Sequence, residues 1–182
     1  AAAPRGPIGV LPHPVTPRDR STLSTLATSF HYVPAAANLR DFSLAIGSPD
    51  IPATVAVLED SMRPVGLVVK RNLQEHLAKL YWRDLHLDDP ISAHMESAPH
   101  LEATLPILSA AEQLLPDLTK EGVRYFTLVH EGSFAGVFSS LDLLRYLTRI
   151  QQADMDLAKS IQGRITPTRL SFEAPDGIIH GF

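Results

Sequence analysis

The sequence predicts a mixed α/β (α+β) fold made of two copies of one small unit, each with the order strand, helix, strand, strand, helix. Three observations predict it. An apolar run, a polar turn, a second apolar run and a leucine-striped helix occur twice, over residues 53–80 and again over 125–150. A glycine lies inside the second run of each copy, Gly66 and Gly136, about 70 residues apart, a period that signals duplicated units. With 182 residues, 45% hydrophobic and 20% charged, the chain can build one compact unit or two small ones.

In chain order, residues 1–20 carry Pro4, Pro7, Pro12, Pro14 and Pro17, which remove backbone donors and fix φ. They predict an extended arm or linker, and Ile8, Val10 and Leu11 could dock it in a groove. Ser29–Val33 is a short extended piece. Leu39–Ile46 is a helix stopped by Gly47-Ser48-Pro49. Ala53–Leu58 and Pro64–Val69 are buried strands joined by Glu59–Arg63. Arg71–Leu80 is a helix with Leu73, Leu77 and Leu80 at i, i+4 and i+7. The second copy repeats the order: Ala98–Glu102 extended, Leu105–Leu118 helical with a kink or end at Pro116, and strands Tyr125–Val129 and Phe134–Ser139 about a turn at Gly132. Its last helix, Leu141–Ile150, has Leu143, Leu144, Leu147 and Ile150 on one face, and Ala153–Ile161 continues as helix.

Several chemistries are excluded. No cysteine is present, so disulfides, thiolate metal sites and thiol catalysis are absent. A net charge of −4 argues against DNA as a partner. No apolar run is long enough to span a bilayer and residues 1–20 lack a signal-peptide core, so no membrane partner and a cytoplasmic location are expected. No nucleophile elbow, phosphate-cradling Gly-rich loop or dinucleotide fingerprint occurs, so no enzyme is expected. The eight histidines show no His-x-x-x-His or His-x-His spacing, and no metal site is expected. Asp88-Asp89 precedes Pro90 and reads as a solvated turn, and Tyr81-Trp82 as packing between the copies.

At the junction of last strand and last helix the copies read Gly66-Leu67-Val68-Val69-Lys70-Arg71-Asn72-Leu73 and Gly136-Val137-Phe138-Ser139-Ser140-Leu141-Asp142-Leu143. With the strand–helix–strand–strand–helix order, this resembles the cystathionine-β-synthase (CBS) domain, and the tandem resembles a Bateman module. The resemblance covers roughly residues 22–150. It implies units at 21–82 and 83–150, packed about a pseudo-twofold axis, with the arm at 1–20 and a C-terminal helix and tail at 151–182. It also implies a homodimer. The stretch Pro64–Glu96, with Arg83-Asp84-Leu85 and Pro90-Ile91, is similar to CBS pairs attached to bacterial signalling proteins, where the output domain is a serine phosphatase, diguanylate cyclase or histidine kinase. Ser160-Ile161-Gln162 followed by Thr166-Pro167 resembles the linker helix into such phosphatases.

The function this implies is regulatory: an adenine-type nucleotide (AMP, ADP, ATP or S-adenosylmethionine) acts as ligand, with no required cofactor, and controls an output domain. Within the family the ligand lies between the copies, its ribose held by an acid at the start of the last helix. Ser139 and Asp142 fit that pattern, with His100, Leu101, Tyr125 and Thr127 beside them. The same Ser-x-x-Asp is also an ordinary helix cap. In the first copy Val69 and Asn72 replace the hydroxyl and the acid, and Lys70 and Arg71 offer phosphate charge or are simply solvated, so this site is expected to be weaker. The alternative is a structural or dimerisation module with no ligand.

Overall fold

The computed structural model describes residues 7–12, 21–118 and 122–165. Its elements are β1 (Gly9–Val10), β2 (His31–Pro34), α1 (Leu39–Ile46), β3 (Thr54–Leu58), β4 (Pro64–Val69), α2 (Lys70–Leu77), α3 (Leu80–His86), β5 (His100–Glu102), α4 (Ile107–Leu118), β6 (Tyr125–His130), β7 (Ser133–Ser139) and α5 (Ser140–Ile165). Short 3-10 turns, Leu23–Leu26 and Ile91–Ala93, precede β2 and β5. The chain forms two compact units, Ala1–Tyr146 and Leu147–Phe182. The described part of the second is the remainder of α5, with Met155 and Leu157 exposed. Thr166-Pro167 lies outside the described residues.

Each copy makes one sheet of the same topology. β2 runs parallel to β3, which turns back antiparallel into β4; β5, β6 and β7 repeat this. The register repeats as well. Val57 faces Gly66, Leu128 faces Gly136, and each pair is followed at once by a bulge. β1 adds an antiparallel edge to the first sheet, burying Ile8, while the Leu11 amide donates to the Phe30 carbonyl at 3.0 Å. Of the expected arm only residues 7–12 are described; they dock through Ile8 and Leu11, whereas Val10 is exposed, and the rest of the arm lies outside the described residues. The Tyr32 ring packs directly over Gly9, so a Cβ there would displace it.

The copies exchange the segments ahead of their first strands. Ser29 bridges Val137 of β7, and Glu96 bridges Leu67 of β4. Thr22 bridges Pro106 ahead of α4, and Pro90 bridges Asn38 ahead of α1. Paired backbone hydrogen bonds hold each exchange: Glu96 to the Leu67 carbonyl at 2.7 Å and Leu67 back at 2.9 Å; Val137 to the Ser29 carbonyl at 2.8 Å and Ser29 back at 3.2 Å. This reciprocity is the pseudo-twofold arrangement of the fold. It explains why Gly66 and Gly136 recur. A Cβ at Gly66 would lie 2.8 Å from the Glu96 carbonyl oxygen, and one at Gly136 3.0 Å from Ala27, besides demanding a φ of +146°.

The cores compensate for each other in volume. In the first copy Val55 faces Val68 in the strand pair, and Phe42 of α1 joins them in one buried cluster with Val33, Leu39 and Ile46. In the second, Phe126 faces and stacks on Phe138 at 5.1 Å, and the α4 position matching Phe42 is the fully buried Ala110. The match follows from the starts of the two helices, where the Leu39 amide donates to Asp89 and the Ile107 amide to Ser21. Large helix and small strands in one copy become small helix and large strands in the other, as close packing requires. Ala56, Leu58 and Leu67 of the first sheet pack with Phe134 and Val137 of the second, which buries the faces between them.

One local expectation needs correction. The helix after β4 does not run through Leu80. It ends at Leu77 with Ala78 as its cap, Lys79 is extended, and α3 starts afresh. Leu73 is buried but Leu80 is 65% exposed, so the third leucine of the stripe does not reach the core. No glycine or proline marks this break. It turns Trp82 back onto the first core, and tertiary packing overrides local propensity. Gly47 closes α1 as the sequence predicts, with φ −68° in right-handed conformation.

His31 in β2 is desolvated, its Nδ1 finds no hydrogen-bond partner among the described residues, and burial lowers its pKa from 6.5. The unfolded chain therefore binds this proton first on acidification, and stability is lost as pH falls from about 6.5 towards the folded pKa. Urea unfolding of His31→Phe against the parent, between pH 7 and pH 5, is expected to show a shallower loss in the variant.

Candidate functional site

The two strand-to-helix junctions are built alike. The Lys70 amide donates to the Ala53 carbonyl and the Ser140 amide to the Arg124 carbonyl, each at 2.8 Å. These bonds bring the start of each last helix beside the start of its copy's middle strand. What the side chains do there differs.

At the second junction, Asp142 Oδ2 accepts from the Ser139 amide at 2.9 Å, the Ser139 hydroxyl at 2.6 Å and the Thr28 hydroxyl at 3.3 Å. The Asp142 amide returns a bond to Ser139 Oγ at 3.3 Å. This is a reciprocal cap at the start of α5, tied across the copies by Thr28. Arg145 approaches the other carboxylate oxygen at 3.6 Å. Asp142→Ala removes the cap and leaves the Ser139 hydroxyl without this acceptor. The expected loss is about 1–2 kcal/mol in denaturant unfolding, with or without any ligand.

At the first junction, Val69 precedes α2 without a side-chain cap. Asn72 donates through Nδ2 to Glu96 Oε1 at 2.7 Å, so a carboxylate is present here after all, supplied by the exchanged segment. Lys70 is half-buried and already engaged. Its ammonium donates to the Ser48 and Ile51 carbonyls at 2.7 and 3.2 Å and ties α2 to the loop after α1. Arg71 is exposed and pairs with Glu75 at 3.0 Å.

Two neighbouring cavities open at this first junction and share Val69, Val123 and Tyr125 as lining. One, about 290 Å³, is lined also by Leu67, Phe126, Arg124 and the segment from Glu96 to Pro99. The other, about 400 Å³, reaches Lys70, Arg71, Asn72 and Gln74. Tyr125 is the one residue of the expected second-copy set that lines them. Burial, together with the nearby charges of Asp142 and Glu96, raises its pKa, so its hydroxyl is a donor at neutral pH. Thr127 is fully buried, with Oγ1 lacking a partner among the described residues, and does not line either of these two cavities. His100 and Leu101 lie one step past the lining, which ends at Pro99. Sequence reasoning thus missed Glu96, Val123 and Arg124. Their signal lay in the repeat offset, which sets Arg124 against Ala53, but the segment exchange that delivers Glu96 has no local pattern.

The histidines hold a second departure. His86, Asp89 and His94 form a cluster whose donor atoms all lie within 4.8 Å of one another. Asp89 Oδ2 accepts from His86 Nδ1 at 2.7 Å and His94 Nε2 at 3.0 Å, and these two bonds hold the Asp89 carboxyl below its usual pKa. Asp88 pairs instead with Arg40 at 2.9 Å. Trp82 packs on His76, His86 and His94 with ring centroids 5.1, 4.8 and 5.0 Å away, while Tyr81 is exposed. Asp89 is therefore no plain solvated turn, and folding assembles a group that no regular spacing announced.

Among the described residues, no helix is long and apolar enough to cross a membrane. No family model matches the sequence, and no curated protein does. Solved structures do. A CBS domain-containing protein of unknown function from Bacillus anthracis is 17% identical with TM-score 0.54, over 73% of this chain and 99% of its own. One from Kribbella flavida is 12% identical with TM-score 0.54, over 70% and 97%. The CBS domain of a bacterial CNNM/CorC family Mg2+ transporter, solved in complex with ATP, is 17% identical with TM-score 0.52, over 69% and 85%. Identities this low speak to fold alone: the chain, with its two like sheets, folds as a tandem CBS-domain pair, a Bateman module.

Proposed function

We propose that this protein is a non-catalytic sensor of an adenine nucleotide, bound in the cleft between the two copies. The observation that supports it best is the pair of cavities sharing Val69, Val123 and Tyr125 at the start of α2. Apolar walls from Leu67, Val69 and Val123 suit a base. The Asn72–Glu96 pair offers a donor and an acceptor to ribose hydroxyls. Arg71 and the first-turn amides of α2 suit phosphates. The transporter domain solved with ATP shares the fold and so supports the ligand class. The Ser139–Asp142 junction is a second place for the same ligand, where a ribose would have to displace Thr28 from Asp142. Nucleotide binding controls an output domain or partner in bacterial signalling by favouring one arrangement of the two copies, which requires unequal affinity for the two arrangements. In this reading the protein works in the cytoplasm as a homodimer, and sedimentation with and without nucleotide tests the pairing.

Calorimetry with AMP, ADP, ATP and S-adenosylmethionine tests the reading. Saturable heat with at least one of them is expected, and no heat with any would overturn it. One observation favours a ligand-free structural module instead: Asp142 already has three internal donors on one oxygen. Under that reading Asp142→Ala changes stability alone and no nucleotide shifts the unfolding midpoint.

A further inference from the structure

We infer that His86, Asp89 and His94 form a binding site for a divalent transition-metal ion of the zinc or cobalt class. Two imidazole nitrogens and a carboxylate oxygen are the donors such ions take, and three protein ligands leave a fourth position for water. All-oxygen ions such as magnesium or calcium are not matched by two imidazoles.

The geometry is close to that of a filled site. Asp89 Oδ2 lies 2.7 Å from His86 Nδ1 and 3.0 Å from His94 Nε2. Tetrahedral bonds of about 2.0–2.1 Å put neighbouring donors about 3.3 Å apart, so the His86 and His94 nitrogens must draw back from the carboxylate oxygen by about 0.6 and 0.3 Å, while all three donor atoms already lie within 4.8 Å of one another. A ring that donates its N–H to the carboxylate must turn that nitrogen's lone pair to the ion instead. On binding, that proton moves to the other ring nitrogen, with no net proton released from neutral rings.

The backbone fixes the three residues before any ion arrives. The Asp89 amide donates to the His86 carbonyl at 3.0 Å, the His94 amide to the Ile91 carbonyl at 2.9 Å, and the Asp89 carbonyl accepts from Leu39 at 2.9 Å. Side-chain exposures of 37% for His86 and Asp89 and 13% for His94 leave a path for the ion and its water. The ion would thereby clamp the end of α3 to the turn that carries the exchanged segment, Glu96 included.

Trp82 is the chain's one tryptophan and packs on both imidazoles, so its emission reports on the site. The test uses the full chain without nucleotide, titrated with Zn2+ and with Co2+. The expected result is saturable binding of one equivalent, a change in Trp82 emission, a higher melting temperature, and visible Co2+ absorption of four- or five-coordinate intensity. Asp89→Asn and His94→Gln should each weaken binding by more than the about 10–100-fold that losing an outer partner costs. His76→Gln, which alters the stack on Trp82 but removes no donor, should bind as the parent does. Circular dichroism checks that each variant folds without metal, and His86→Gln at the end of α3 stands in for any that does not. No saturable uptake of either ion by the parent, or uptake unchanged in these variants, overturns the proposal.

Discussion

Phe138→Ala is expected to destabilise the protein by about 3–5 kcal/mol in urea unfolding, as for other buried Phe→Ala changes. Phe138 is fully buried in β7 and stacks on Phe126. The α4 position matching Phe42 is alanine, so that helix has no large side chain there to fill the gap. A loss of this size is a large part of an ordinary stability of about 5–15 kcal/mol. The sharper form of the prediction uses the other copy as donor. Ala110→Phe alone is expected to overpack the second core, at about 1–3 kcal/mol. Combined with Phe126→Val and Phe138→Val, it rebuilds the first-copy core and should recover much of what the valines alone lose. An additive triple variant would show that the two cores are not interchangeable solutions to one packing problem.

Val123→Trp is expected to weaken nucleotide binding by at least about tenfold, or about 1.4 kcal/mol, while leaving stability within about 0.5 kcal/mol. Val123 is 45% exposed and lines both cavities, so an indole there fills the cleft without entering the core. Asp142→Ala is the counterpart: if the cleft at Val69 and Tyr125 is the main site, it lowers stability while nucleotide still binds. Undiminished affinity in Val123→Trp, read by calorimetry, would move the ligand elsewhere.

How much of this was legible in the sequence follows from how local each signal is. The strands around Gly66 and Gly136 read correctly because apolar β-rich runs bounded by turns are local, and the two glycines recur at one offset. The cap made by Ser139 and Asp142 was equally readable, since a hydroxyl three residues before an acid at a helix start is itself a local pattern. Long-range arrangements were not readable. Nothing in Glu96 announces that it will bond Asn72, because the segment exchange sets that contact. Lys70 looked like a solvated or phosphate-binding charge, yet its stem reaches back to carbonyls around 20 residues earlier. The break before Leu80 has no proline or glycine, and only the docking of Trp82 accounts for it. His86, Asp89 and His94 straddle a helix end, a proline and a 3-10 turn, so no single periodicity could align them.

The most direct measurement is a crystal structure grown with saturating ATP or AMP. The account predicts a nucleotide between the copies, its base against Val69, Val123 and Tyr125 and its ribose beside Asn72 and Glu96. A cleft that stays empty at saturation, or density lodged away from the junction of the two copies, would contradict it.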